Sequence, residues 1–193
     1  MKKLITIVIA MLLITVTINA QNKSDYSSEP GYVNFGDLSK FMQGDRVTEI
    51  NLEANILKML SKLGGEDDPD FNALVGNLKL IRVNSFGIDD KNQSEVMQKI
   101  ASIDKDLTSK KWERIVKVKD RGENTNIYIL PSSDYENVLG LVVASVDDNR
   151  RKEGREATFV NIVGKINMEQ LGKLGDKFNI PTLGRVKTNK KDK

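Results

Sequence analysis

Hydrophobic and polar positions divide the chain into segments of different period. The first is an apolar run from Leu4 to Ile18, broken only by Thr6, Thr15 and Thr17, with Lys2 and Lys3 before it and Asn19, Ala20 and Gln21 after it. A charged start, an apolar middle and a small closing residue predict an export signal over residues 1–20, cleaved after Ala20. The run is about fifteen residues long, whereas a spanning helix needs roughly twenty, so it reads as a removable leader rather than a retained anchor. Residues 21–31, QNKSDYSSEPG, are polar, contain Pro30 and Gly31, and read as a linker.

Globular patterning follows. Val47 to Asn51 is a short strand candidate, and Leu52, Ile56, Met59, Leu60 and Leu63 then recur at helical spacing, with Asn51 as the expected cap and Gly64-Gly65 as the stop. Glu66 to Asp70, with Pro69, reads as an acidic turn, and Leu78 to Phe86 as a strand. Over residues 92–107 the period becomes helical again: Val96, Met97, Ile100, Ile103 and Leu107 share a face, and Asn92 with Glu95 has the spacing of a capping-box variant. From Trp112 the period is two, with Trp112, Arg114, Val116 and Val118 expected on one face and Lys111, Glu113, Lys117 and Lys119 on the other, up to a turn at Arg121 to Asn124.

Thr125 to Leu130 is the next strand, stopped by Pro131. Val138 to Val146 is apolar on both faces, as a strand covered from two sides would be. Thr158 to Ile166 is the last strand, and Asn167 is expected to cap a final helix with Met168, Leu171, Leu174 and Phe178 inward, closed by Pro181. Four strands joined by short turns should pair antiparallel, and the helices are expected to pack on one face of the sheet. The predicted fold is therefore α+β, a two-layer sandwich, in a single domain over residues 32–183 with a basic disordered tail at 184–193.

Charge is informative only after it is divided between the ends and the body of the chain. The net of +3 includes Lys2 and Lys3, and the tail carries Arg185, Lys187, Lys190, Lys191 and Lys193 against Asp192, so the body of the chain is slightly acidic. A nucleic-acid partner is not expected, because that footprint needs clustered basic residues on the folded surface. The chain has no cysteine, which excludes disulfides and a lipid on a leader-end cysteine, and no stable membrane anchor is expected once the leader is removed.

Histidine is also absent. Without His or Cys there is no Ser-His-Asp or Cys-His nucleophile and no ordinary zinc site. Ser102 and Lys105 have the Ser-x-x-Lys spacing of a lysine-activated serine, but neither Ser-Asp-Asn nor Lys-Thr-Gly accompanies them. The acidic runs Glu66-Asp67-Asp68 with Asp70, Asp89-Asp90, and Asp147-Asp148 with Asn149 lack the alternating spacing of a calcium loop and read as turn chemistry. Gly172 and Gly175 lie inside the final helix pattern, not in a phosphate-cradling loop. Trp112 beside Arg114 could stack on a sugar or peptide, though core packing is the commoner use of such a pair. Arg82 and Arg114 are the odd residues, since each sits on an apolar strand face and a buried guanidinium needs a partner. No cofactor is expected, and the sequence names no catalytic, metal or binding residues.

The segments LIRVNSF (Leu80 to Phe86), WERIVKVKD (Trp112 to Asp120), and Ala157 to Ile166 followed by NMEQL resemble domain-of-unknown-function family 4252, small exported proteins of Bacteroidetes-type bacteria. The resemblance implies an envelope location and an α+β domain, and it transfers no site residues. Some relatives are lipoproteins; this chain departs from them in having no cysteine. Two functions fit these readings. One is a non-enzymatic periplasmic or secreted module that binds a protein, a peptide or an envelope component through a sheet face or open edge. The other is a hydrolase or transferase that uses carboxylates or the Ser102–Lys105 pair. A pocket where Arg82, Arg114 and acidic groups converge would favour a ligand site or an enzyme.

Overall fold

The computed structural model describes residues 25–44, 46–63, 69–120, 122–148 and 154–167. The expected leader, the helix begun at Asn167, the Gly172–Gly175 pair and the basic tail lie outside the described residues. In chain order the elements are β1 (Val47–Glu53), α1 (Ala54–Leu63), α2 (Pro69–Gly76), β2 (Leu78–Gly87), α3 (Gln93–Thr108), β3 (Glu113–Asp120), β4 (Glu123–Pro131), β5 (Asn137–Asp147) and β6 (Glu156–Asn167).

The strands form one six-stranded sheet in the order β1-β2-β6-β5-β4-β3, and every neighbouring pair is antiparallel. The hairpin-linked run β3 to β6 is as the short turns require. β2 then adds to the far side of β6, which leaves β1 and β3 as the outer strands among the described residues. The α+β sandwich is therefore the fold. One part of the expectation is corrected: the helices do not share a face.

The reason is visible in β5. Val142, Ala144 and Val146 belong to one apolar cluster, and Leu141 and Val143 to the other, because successive side chains of a strand point to opposite faces. Both faces are apolar, so both must be covered. The first cluster is closed by Val96, Ile100, Ile103 and Leu107 of α3, together with Val33, Phe35, Leu38 and Phe41 from the segment before β1. The second is closed by Leu57 of α1 and by Leu74 and Val75 of α2.

Local differences from the sequence reading have local causes. β1 runs on to Glu53, so Asn51 lies in a strand and does not cap α1; the Ala54 N–H donates instead to the Tyr26 hydroxyl at 3.2 Å. The expected acidic turn gives way at Pro69 to α2, proline being well placed at the first position of a helix. Asn92 precedes α3, but its side chain accepts the Asp89 N–H at 2.9 Å rather than capping the helix. In β3 the register slips between Arg114 and Val116, making Ile115 an extra residue. The slip leaves Trp112 in the α3-side cluster and turns Val116 to the α1 side, so the four residues expected on one face are divided.

Two close approaches depend on glycine. Gly31 lies against Gly140, where a Cβ on Gly140 would stand 2.5 Å from the Gly31 Cα and 2.7 Å from Trp112 Cη2. Gly164, at φ 143°, faces a slip in the β2–β6 register, and a Cβ there would meet the Asn77 carbonyl oxygen at 2.6 Å.

Candidate functional site: a cleft beside the outer strand β1

The segment expected to be a linker is docked from its middle onward. Tyr26 reaches the start of α1, Glu29 pairs with Lys79 at 2.7 Å, and Gly31 packs on β5. The chain then crosses the α3-side face of the sheet. Its anchor is Asn161, fully buried in the middle of β6. The Asn161 side-chain amide donates to the Gly31 carbonyl at 2.9 Å and the Leu141 carbonyl at 3.3 Å, and its oxygen accepts the Val33 N–H at 2.9 Å. Aromatic rings continue the attachment. Phe35 lies 5.6 Å from Phe159, Phe41 stacks on Phe86 at 5.1 Å, and Phe86 stacks on Phe159 at 6.0 Å. Such pairs contribute about 0.5–1.5 kcal/mol each beyond the area they bury.

This crossing segment makes one wall of a cleft of about 920 Å³. The floor is the end of the sheet: Glu49, Asn51 and Glu53 of β1 and Leu80, Arg82 and Asn84 of β2 line it, while Tyr32, Phe35, Asp37 and Met42 line the wall and Asp25 and Tyr26 one end. Asn51, Arg82 and Asn161 occupy one row across β1, β2 and β6, so the cleft floor and the wall's anchor are neighbours on the same sheet face.

Arg82 is held without a carboxylate among the described residues. Its Nη2 donates to the Val33 carbonyl at 2.6 Å and its Nη1 to the Tyr32 hydroxyl at 3.3 Å, and its guanidinium lies 5.2 Å from the Tyr32 ring centre and 5.1 Å from that of Phe35. Its Nε is buried and has no hydrogen-bond partner among the described residues. Cation–π contact and one strong carbonyl bond thus replace the ion pair expected for a guanidinium on an apolar strand face.

The anions of the cleft outnumber that one cation: Asp25, Asp37, Glu49 and Glu53 all line it. Asp25 accepts from the Ser27 amide and hydroxyl, and Asp37 from the Ser39 hydroxyl and amide; these bonds hold both carboxyls below the usual range and therefore ionised. At the rim, Lys40 is paired with Glu95, and the Lys99 ammonium lies beside Gly36. The cleft is acidic, polar and open along an outer strand.

The other sequence candidates lie elsewhere. Arg114 does not reach the cleft: its Nη1 donates to Asp104 of α3 at 2.6 Å, and Asp104 also accepts from the buried Tyr128 hydroxyl at 2.6 Å. Burial, and the bond to Asp104, push the Tyr128 phenol well above its ordinary range. Trp112 is buried against Gly140 and is core, not a stacking platform. Ser102 and Lys105 are exposed on α3 and line no part of the cleft. Asp89 bonds the N–H groups of Lys91 and Asn92 at 2.9 Å, the turn chemistry its position suggested. Arg155 draws Asp148, Asp90 and Gln93 together at the start of α3. No group of three or more acidic residues able to hold a metal ion occurs among the described residues, and the Glu66 to Asp68 run lies outside them.

Sequence reasoning singled out Arg82 and missed Asn161, Glu49, Asn51 and Glu53. A signal for Asn161 was present, since it is the one amide within the apolar run Thr158 to Ile166. A buried amide in a central strand must find donors and acceptors off the sheet ladder. Glu49, Asn51 and Glu53 alternate with Ile50 and Leu52, but the helical spacing that begins at Leu52 masks the alternation beyond Asn51.

No curated protein and no solved structure matches the chain. The family model described as Domain of unknown function (DUF4252) matches residues 41–174, which takes in every strand of the sheet and the whole cleft floor, and the chain belongs to that family.

Proposed function

We propose that the protein is an exported, non-catalytic module that receives an extended peptide or protein segment in the β1 cleft, alongside the outer edge of the sheet. The observation that carries the reading is the combination of an outer strand with an open cleft on one of its faces. Adding a strand to such an edge supplies main-chain hydrogen bonds, and pockets for alternate side chains supply selectivity. The ladder phase supports it. Gly87 N–H donates to the Arg46 carbonyl at 3.0 Å, and hydrogen-bonded pairs alternate along an antiparallel ladder. The main-chain groups of Thr48, Ile50 and Leu52 then face β2, and those of Val47, Glu49 and Asn51 face outward.

The leader pattern of residues 1–20 supports export. The absence of histidine and cysteine, and the position of Ser102 and Lys105 away from the cleft, support binding over catalysis. The test is Asn51→Pro. An outer strand tolerates proline where its N–H faces away from the sheet, so the variant should fold and lose peptide binding. Undiminished peptide binding by a folded Asn51→Pro protein would refute strand addition at β1.

A further inference from the structure

We infer that the guest is basic, an extended segment with Lys or Arg at two positions four residues apart, apolar residues at the two positions next inside them, and a polar residue at the centre. This specificity rests on the peptide-cleft reading above and is a separate claim from it.

The side chains of β1 alternate between the two faces of the sheet. Glu49, Asn51 and Glu53 line the cleft, and Leu52 packs at the margin of the α1-side core, which places Ile50 on that same opposite side. A strand laid against β1 sets its own side chains opposite these, residue for residue, with facing Cβ atoms about 5 Å apart. Two guest positions therefore meet Glu49 and Glu53, the one midway between them meets Asn51, and the two intervening positions meet Ile50 and Leu52. Complementarity demands a cation, an apolar residue, a polar residue, an apolar residue and a cation, in that order.

The rest of the cleft reinforces the sign. Asp25 and Asp37 are held ionised by their serine partners, and the guanidinium of Arg82 is turned onto the Val33 carbonyl between the Tyr32 and Phe35 rings. A guest carboxylate on the cleft floor would meet Glu49 and Glu53, with Asp25 and Asp37 nearby and a guanidinium already engaged. Lys40 and Lys99 stand at the rim beside Asp37 rather than on the floor. The other outer strand is more basic: Lys117 and Lys119 stand exposed on β3, with Lys111 just before it, against exposed Glu113 and Asp120 at its two ends, so a basic guest is favoured less at that edge.

The experiment is a calorimetric titration of the purified protein at low salt with three end-blocked peptides. Their central sequences are Lys-Val-Thr-Val-Lys, Glu-Val-Thr-Val-Glu, and the rearranged Lys-Lys-Thr-Val-Val. The expected result is binding of the first, with the other two at least about tenfold weaker. Glu49→Gln with Glu53→Gln should weaken the first about tenfold without changing the melting temperature, as the loss of two exposed ion pairs implies. Added salt should narrow the gap between the first and second peptides. Equal or tighter binding of the Glu peptide overturns the basic preference; equal binding of the rearranged peptide overturns the spacing. If either result disappears in Asn51→Pro, the peptide-cleft reading survives without this specificity. If none of the three binds, the reading and the specificity fall together.

Discussion

Replacing Asn161 with alanine tests how the cleft wall is attached. The side chain is fully buried and makes three hydrogen bonds, two of them to the crossing segment at Gly31 and Val33. Alanine leaves the Val33 N–H and the Gly31 carbonyl facing a hole on the sheet. A buried group stripped of its partner costs about 1–3 kcal/mol, so two of them amount to roughly 2–6 kcal/mol unless the segment lifts away to meet water. Lifting has its own cost, because Val33 and Phe35 are nearly fully buried beneath it. For a chain of this size the loss corresponds to a melting temperature lower by about 5–15 °C. Thermal unfolding measures the global effect, and hydrogen exchange at the Val33 amide measures the local one, which should accelerate strongly. Asn161→Asp should be no better at neutral pH, since it sets a carboxylate against the Gly31 and Leu141 carbonyls, and it should recover partly when acidified. A melting temperature within about 2 °C of the parent, with the Val33 amide still protected, would refute the reasoning.

Other expectations follow from the same geometry. Gly140→Ala should destabilise by about 1–3 kcal/mol and alter the fluorescence of the single tryptophan, because the new methyl group must displace Gly31 or Trp112. Arg82→Met keeps an apolar stem but deprives the Val33 carbonyl of its 2.6 Å donor, and should cost about 1–2 kcal/mol in denaturant unfolding. Tyr128→Phe should cost a similar amount by removing the hydroxyl bond to Asp104. The phenol of Tyr128 is raised in the folded state, so its stabilising effect is complete below its ordinary pKa of 10.0 and is lost as pH rises beyond it. Urea unfolding between neutral and strongly alkaline pH should therefore show a steeper loss in the parent than in Tyr128→Phe; equal slopes would contradict the assignment.

Much of the sheet was legible because its strands follow one rule, two-residue alternation with turn residues between. Val138 to Val146 even announced that both of its faces are covered, a fact at odds with placing the helices on one side. The helix faces were legible for the same reason: Val96, Ile100, Ile103 and Leu107 of α3 are all buried as their spacing required. What stayed hidden had no period. The segment from Tyr32 to Met42 enters the core through scattered residues, Val33, Phe35, Leu38 and Phe41, in a stretch without regular secondary structure. The slip at Ile115 changes which residues of β3 share a face, and nothing local to the strand signals it. Arg82 and Arg114 looked alike in sequence and were resolved differently, one by aromatic rings and a carbonyl, the other by a carboxylate on α3. Tertiary neighbours decide such cases, and only the folded chain supplies them.

The two outer strands provide the most direct test, because β1 presents Glu49 and Glu53 while β3 is the more basic of the two. Amide chemical shifts of the labelled protein would be followed while the peptide with central sequence Lys-Val-Thr-Val-Lys is added. The changes should concentrate at Glu49, Asn51, Glu53 and Arg82 and leave Lys117 and Lys119 on β3 unmoved. Changes confined to β3, or none anywhere at saturating peptide, would contradict the assignment of the β1 cleft as the binding site.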